Sequence, residues 1–308
     1  MKKEKLDTLV LVTHWENFHA DDVTAGALLK YFLVEKLKLF KSVVVERTDR
    51  VASTGKELQI IFKKKYNNAY VIVYDVGRDY IPSEGLFDHH QFTTVEDNRA
   101  SAGMVFDWLI SEGTINEGLR KSMERIIRSV DNVTTGVSPA LAGEMSWIIN
   151  HMNEDFNASD EDDHTAYMSA MDMVERIIRS LNRTNDELEN TKRLFCEAGI
   201  TLPDLNSDFY ALEFTTFPRG WQEIIYEPQY KNVDLIITYN NVNKNWQAQT
   251  VNKDGTNNHS NRRNRRIIVD EEYINDKSNG IVFVLKGGFF MVAQTREDLH
   301  KYLDLYCE

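Results

Sequence analysis

Asp88-His89-His90 is the densest group of potential ligands in the chain, and further acid and imidazole groups stand upstream of it. His14 and Asp75 each close an apolar run, and His19 and Asp21 follow soon after His14. Four of the eight histidines fall in these motifs. Imidazole mixed with carboxylate suits divalent manganese, iron or zinc, whereas magnesium prefers an all-oxygen shell. Manganese is the first expectation, with iron, zinc or magnesium as the other candidates. Two such ions at one site can activate water for in-line attack on a phosphoester.

Each residue has a functional role and a plainer alternative. His14, His19 and Asp21 could surround one point on a strand-to-loop-to-helix turn. Asp21 or Asp22 could equally be the N-cap of the helix that begins there. Asp75, followed by Val76-Gly77, could form a turn, or its two oxygens could bridge two ions. His89 would ligate one ion. His90 would face the substrate, stabilising phosphoryl charge or protonating the leaving oxygen. Asp131, in Ser129-Val130-Asp131-Asn132, could complete the second ion's shell, and its local sequence fits a helix-terminal turn equally well.

These groups need a scaffold. Residues 8–13, 42–46 and 70–74 read as near-continuously apolar strands. They alternate with helices at 23–38 and 56–66, and further helices follow at 100–111 and 116–130. That alternation implies an α/β domain with a mostly parallel sheet flanked by helices, whose ligands bind beyond the carboxyl ends of the strands. Residues 142–152 look helical, 154–163 form an acidic connection, and a long helix spans 165–198. Residues 199–207, around Pro203, read as a linker. Strands at 209–214, 233–239, 246–251, 280–284 and 289–293 follow, then a closing helix at 296–306. The expected organisation is a catalytic domain over 1–200 and a smaller α+β domain over 205–308.

The length of 308 residues suits two domains, and 42% hydrophobic with 27% charged residues is ordinary for a soluble chain. No apolar run is long enough to span a bilayer. The start, Met1 to Lys5 followed by Leu9 to Val12, is too short and lacks the cleavage site of a signal peptide. Cys196 and Cys307 show no paired or metal-like spacing, which fits free thiols in a reducing compartment and makes the cytoplasm the expected location. A net charge of -12 argues against strong sequence-independent binding of long nucleic acid. It allows an enzyme that grips a chain end.

At these residues the chain resembles the DHH phosphoesterase superfamily, and within it the MYG-type exonuclease family. Thr13-His14 and Phe18-His19-Ala20-Asp21 resemble that family's first motif, where histidine replaces an aspartate usual elsewhere in the superfamily. Asp75-Val76-Gly77 and Phe87-Asp88-His89-His90-Gln91 match its second and third motifs. Ser101-Ala102-Gly103 resembles its helix start, and Asp131-Asn132 its Asp-Asn motif. The resemblance is looser later. Phe217-Pro218 with Trp221-Gln222-Glu223, and Trp246-Gln247-Ala248-Gln249, are similar to family stretches. Leu285 stands where a histidine is usual, and Met291-Val292 replace a Gly-Gly pair.

The resemblance implies a metal-dependent phosphodiesterase, a 3′–5′ exonuclease releasing nucleotides from RNA or short oligonucleotides. It implies ligands at His14, His19, Asp21, Asp75, His89 and Asp131. The superfamily also includes pyrophosphatases and cyclic-dinucleotide phosphodiesterases, and a non-catalytic nucleotide-binding module is a further alternative. Arg78, Arg99, Arg262, Arg263, Arg265 and Arg266 are candidates for phosphate contact, although the late cluster could be a solvated loop. Lys286 beside Gly287 and Gly288 could line a cleft between the domains, giving substrate selection to the second domain. Trp221 and Trp246 could stack a base or pack a core. His151, His164, His259 and His300 read as surface groups. The sequence leaves the oligomeric state open.

Overall fold

The computed structural model describes residues 7–49, 53–67, 69–92, 98–153, 159–198, 210–252 and 265–307. It divides into two compact units, Met1–Arg183 and Thr184–Glu308.

In the first unit, strands β1 (Thr8–His14), β2 (Ser42–Thr48), β3 (Ala69–Tyr74), β4 (Tyr80–Ile81) and β5 (Leu86–Phe87) form a sheet of order β2-β1-β3-β5-β4. All neighbours run parallel except β4, which pairs antiparallel with β5. Alternation along the strands shows why both faces are covered. Leu9, Leu11, Ile72 and Tyr74 belong to one buried cluster, and Val10, Val12, Val71 and Val73 to another. Helix α1 (Ala20–Leu29) continues as a wider π-type helix over Lys30–Lys36, and with α3 (Ser101–Ser111) and α4 (Glu117–Thr134) supplies the first cluster. Helix α2 (Gly55–Lys65) covers the other face through Leu58 and Phe62. Thr54 starts it with a capping box, in which Thr54 Oγ1 accepts from Glu57 N–H and Glu57 Oε2 from Thr54 N–H. The short α5 (Met145–Asn150) precedes the long α6 (Asp160–Ala198).

The boundary between units falls inside α6, because its two ends pack in different cores. Tyr167, Ala170, Met171, Val174 and Ile178 join the first unit's cluster. Leu188, Leu194, Phe195 and Ala198 pack with a second-unit cluster. The expected linker at 199–207 lies outside the described residues.

The second unit is α+β. Strands β6 (Ala211–Phe214), β7 (Leu235–Asn240), β8 (Asn245–Thr250), β9 (Ile281–Val284) and β10 (Phe290–Ala293) form a sheet of order β6-β7-β8-β10-β9. Only β6 and β7 are parallel among its pairs. Helices α7 (Trp221–Ile224), α8 (Glu271–Asn275) and α9 (Arg296–Tyr306) complete it. His300, expected at the surface, is instead buried on α9, its Nε2 3.1 Å from Glu213 Oε2. Among the described residues, no helix is long and apolar enough to cross a membrane.

Candidate metal centre

Three adjacent parallel strands end at one edge of the first sheet, and each delivers part of the expected ligand set. His14 closes β1, Asp75 follows β3, and Asp88-His89-His90 follows β5. The register, with Val12 beside Val73 and Tyr74 beside Phe87, brings those ends level. His19 caps α1, and Asp21 and Asp22 lie in its first turn. Asp22 Oδ1 accepts from the His19 N–H at 2.8 Å, so the capping task falls to Asp22.

Asp75 is the hub. Its Oδ2 is 3.1 Å from His14 Nε2, and its Oδ1 is 3.2 Å from His89 Nε2. Ser101 Oγ donates to Oδ1 at 3.2 Å. Three groups of residues could each surround an ion: His14, His19 and Asp75; Asp75, His89 and His90; and Asp21, Asp22 and Asp75. Asp75 belongs to all three. It also adopts the left-handed region at φ 54°, uncommon for a residue other than glycine. Gly77, at φ 94°, is required in the same turn, because a Cβ there would stand 2.5 Å from the Gly55 nitrogen. Strain held at such a turn is typical of functional sites.

The donors fit a cation. His14 Nδ1 donates to the Trp15 carbonyl at 2.8 Å, so in the neutral ring, the form that ligates a metal, Nε2 would turn its lone pair toward Asp75 and Asp22. Neutral imidazole and ionised carboxylates then present only acceptors to one another. Asp21 is fully buried, and neither oxygen has a hydrogen-bond partner among the described residues. Its Oδ2 lies 3.5 Å from His89 Nε2, and a carboxylate this deeply buried is tolerated chiefly when it faces a cation or binds a metal.

Electrostatics follow the crowding. Burial raises the Asp22 carboxyl to about 7, with Asp75 and Asp21 adding to it against the pull of His14. Burial also opposes ionisation of Asp75, but the imidazoles of His14 and His89 outweigh it and hold its carboxyl far below the usual range. Burial disfavours the charged form of His89, yet Asp21 and Asp75 lift it to about 10. His89 without an ion beside it therefore carries a proton at pH 8, and a ligating imidazole must be neutral. Metal loading at pH 8 is expected to release at least one proton per chain. Calorimetry in buffers of different ionisation enthalpy reads this directly, and proton uptake would show that His89 is not a ligand.

His90 is set apart by Asp88, a buried residue whose Oδ1 accepts from His90 Nδ1 at 2.6 Å and from His90 N–H at 3.1 Å. Burial works against the Asp88 charge, but the His90 bonds prevail and its pKa is lowered. With Nδ1 committed to Asp88, Nε2 is the nitrogen left for substrate. The ring lines a cavity of about 410 Å³ with His19, Asp21, Asp75, His89, Thr134, Ser146 and Asn150.

Other groups hold this edge in place. The buried Arg47 donates from Nε to the His14 carbonyl at 3.1 Å and from Nη2 to the Glu16 carbonyl at 2.5 Å. Asn153 closes a two-way bond with the backbone of Phe18. Neither Arg47 nor Asn153 stands out in the sequence, because their partners, backbone atoms and for Arg47 also the Asp163 carboxylate, are distant along the chain.

Asp131 stands apart from the three ligand groups. Its Oδ1 accepts from Ala100 N–H at 3.1 Å and Gly103 N–H at 3.0 Å, and its Oδ2 from Arg128 at 3.1 Å. Burial raises its carboxyl to about 6 against those donors. The Ser101-Ala102-Gly103 motif thereby acquires a physical meaning: Ser101 reaches Asp75, Ala102 enters the core, and Gly103 leaves room for Asp131. A Cβ on Gly103 would stand 2.1 Å from Asp131 Oδ2. Gly103→Ala is expected to destabilise the protein by about 1–3 kcal/mol, as overpacking of a tight core does. A thermal melt checks it, and an unchanged midpoint would mean that α3 and α4 part at little cost.

The expected substrate contacts are not gathered here. Arg99 donates to Tyr80 Oη at 3.3 Å and to Asp107 at 3.4 Å, and does not line the cavity. Arg78 N–H donates to Asp88. Arg262 and Arg263 lie outside the described residues, as does His259. Arg265 is half-buried and Arg266 exposed. Lys286 and Gly287 are exposed in the turn between β9 and β10, where Gly288, at φ 64°, packs against the Ile267 carbonyl and Arg266. Trp221 is buried in a core cluster, and Trp246 packs beside Tyr239 at 5.3 Å between ring centroids.

Comparison with known proteins bears on the same chain. A family model labelled MYG1_exonuc, described as an uncharacterised protein family (UPF0160), matches residues 10–303. A Mus musculus protein named MYG1 exonuclease is 25% identical over 331 residues, covering 92% of this chain and 81% of its own. A Chlamydia muridarum protein named MYG1 protein is 30% identical over 172 residues, covering 54% of this chain and 52% of its own. Among solved structures, RecJ from Thermus thermophilus in complex with Mn2+ matches with 11% identity and a TM-score of 0.31, covering 97% of this chain and 51% of that one. That likeness is too slight to bear on the site.

Proposed function

Because the chain belongs to the MYG1 exonuclease family, and is therefore a phosphoester hydrolase, we propose that it cleaves phosphodiesters with two divalent ions. The ligands in this reading are His14, His19, Asp21, Asp75 and His89; their mixed imidazole and carboxylate donors suit manganese, iron or zinc, and manganese is the ion proposed first. Asp131 joins the set on its motif alone, and Asp22 is the rival for its place. The observation that carries the reading is Asp75, whose two oxygens face two different imidazoles.

Bound there, two divalent ions would supply Lewis acidity and a water acidic enough to attack at neutral pH. The chain's own residues do the rest. Ser101 and the left-handed turn hold Asp75 with its two oxygens toward His14 and His89, where it would hold the ions. Asp88 fixes the His90 ring, so that Nε2 can stabilise phosphoryl charge or pass a proton to the leaving oxygen. His14, Asp21 and Asp75 are buried, whereas His19 and His89 face the cavity by which substrate would enter.

A phosphodiester suits the cavity better than pyrophosphate does. Pyrophosphate is small and multiply charged and needs several convergent cations, and no Lys or Arg is among the described residues lining the cavity. The finer reading is an exonuclease, as relatives are named, with 3′–5′ polarity and RNA or short oligonucleotides as substrates carried over from the motif resemblance. A manganese assay offering 3′- and 5′-labelled RNA, DNA, a cyclic dinucleotide and pyrophosphate tests it. Faster hydrolysis of pyrophosphate than of RNA would sink the exonuclease reading. A chain with no bound ions and no turnover would instead be a nucleotide-binding module.

The second unit is proposed to grip the polynucleotide through its arginine cluster. Changing Arg262, Arg263, Arg265 and Arg266 to serine is expected to weaken oligonucleotide binding and flatten its salt dependence, since phosphate contacts carry that dependence. An unchanged slope in a salt titration would leave the cluster as a solvated loop.

A further inference from the structure

The cavity has two walls of opposite chemistry. One is the ligand set. The other comes from the end of α4, with Val133 and Thr134, and from α5, with Ser146 and Asn150. Ser146 is 3% exposed, and its Oγ has no hydrogen-bond partner among the described residues. Serine in a helix commonly bonds a nearby backbone carbonyl, and this one does not. A buried hydroxyl left open on a cavity wall is satisfied by a water or by a ligand atom that displaces it. Asn150 sits four residues on, on the same face of α5, and is exposed where Ser146 is deep. Thr134 is half-buried beside them.

We propose that this wall binds the ribose of the nucleotide flanking the scissile bond, with Ser146 Oγ paired to a ribose hydroxyl. Thr134 and Asn150 complete the contact, and Val133 meets the apolar face of the sugar. The inference rests on the phosphodiesterase reading above and names the part of the substrate that the ligand set does not hold. The wall carries no charge, so it is poorly suited to a second phosphate. Hydroxyl and amide groups both donate and accept, as a ribose hydroxyl does. A site built to pair a hydroxyl rejects the analogue lacking it, because its own polar group is then stranded.

The test measures binding as well as turnover. Calorimetry on the manganese-loaded full chain compares adenosine 5′-monophosphate with its 2′-deoxy and 3′-deoxy analogues. A parallel assay compares kcat/KM for ribo- and deoxyribo-dinucleotides. The wild type is expected to favour at least one hydroxyl by about tenfold or more. Ser146→Ala should bring that ratio toward one by weakening the ribonucleotide alone, with two metal ions retained. Asn150→Ala, at an exposed position, should lower the ratio in the same direction and covers the case in which Ser146→Ala does not fold. Equal binding of all three nucleotides by the wild type, or an unchanged ratio in both variants, overturns the sugar wall. The two readings fail separately. Hydrolysis of ribo- and deoxyribo-dinucleotides at equal rates removes the wall and leaves the phosphodiesterase. Hydroxyl-selective binding without hydrolysis of any phosphodiester removes the enzyme and leaves the wall.

Discussion

Asp75→Asn is expected to abolish the second metal equivalent and to lower phosphodiester turnover by about 10³-fold or more, equivalent to several kcal/mol of lost transition-state stabilisation. The change is nearly isosteric, so the left-handed turn and the Ser101 contact can persist. What disappears is the charge, and with it one of two anionic oxygens that face His14 and His89. Elemental analysis and single-turnover kinetics on one preparation read both effects. Full metal stoichiometry with full activity would remove Asp75 from the bridging role. The same measurement on Asp22→Asn and Asp131→Asn apportions the remaining place. Loss of an ion only in Asp131→Asn makes it the ligand, and loss only in Asp22→Asn leaves Asp131 as a brace between α3 and α4.

His90→Ala is expected to reduce turnover by about 10²-fold or more while metal content stays at two, as suits an acid or charge stabiliser outside the ligand set. Asp88→Asn should reproduce part of that loss, because an amide in place of the carboxylate can offer its NH2 to His90 Nδ1 and reverse the tautomer. Loss of one ion in His90→Ala would move His90 into the ligand set, where its Nδ1 already lies 3.7 Å from Asp75 Oδ1.

Much of this site was legible before any coordinates. A histidine or aspartate after an apolar, β-branched run is a local signal, and parallel strands carry such residues to one edge without further information. The two-residue strands β4 and β5 were not legible, since two residues show no period. Asp22 escaped for a different reason. Its backbone bond to His19 is the ordinary task of an acid in a first helical turn, and nothing local reports that its other oxygen lies 3.5 Å from His14 Nε2. Asp88 shows the limit of motif reading. It opens the Asp-His-His triplet, yet its oxygens serve His90 and the Arg78 backbone. Arg99 is read by residue type alone. Guanidinium suits phosphate, but Tyr80 and Asp107 hold it. His300 lacked any local sign that α9 would bury it against Glu213.

The three carboxylates of Asp21, Asp22 and Asp75, packed so that their ligating oxygens lie within 4.8 Å of one another, also dictate an order of events. Each carboxylate charge left unbalanced, once the Asp22 proton and the protonated His89 are displaced, repels an incoming phosphate oxygen by roughly 3 kcal/mol at about 5 Å and an effective dielectric constant of about 20. A phosphodiester meets that barrier until cations have entered. In the two-metal reading, entry would be sequential, with metal before nucleotide, and the two bindings would be linked. Each raises the affinity for the other by the same factor. The free-ion level around the protein then sets how much substrate it can hold, which makes the enzyme's saturation curve a readout of its metal supply.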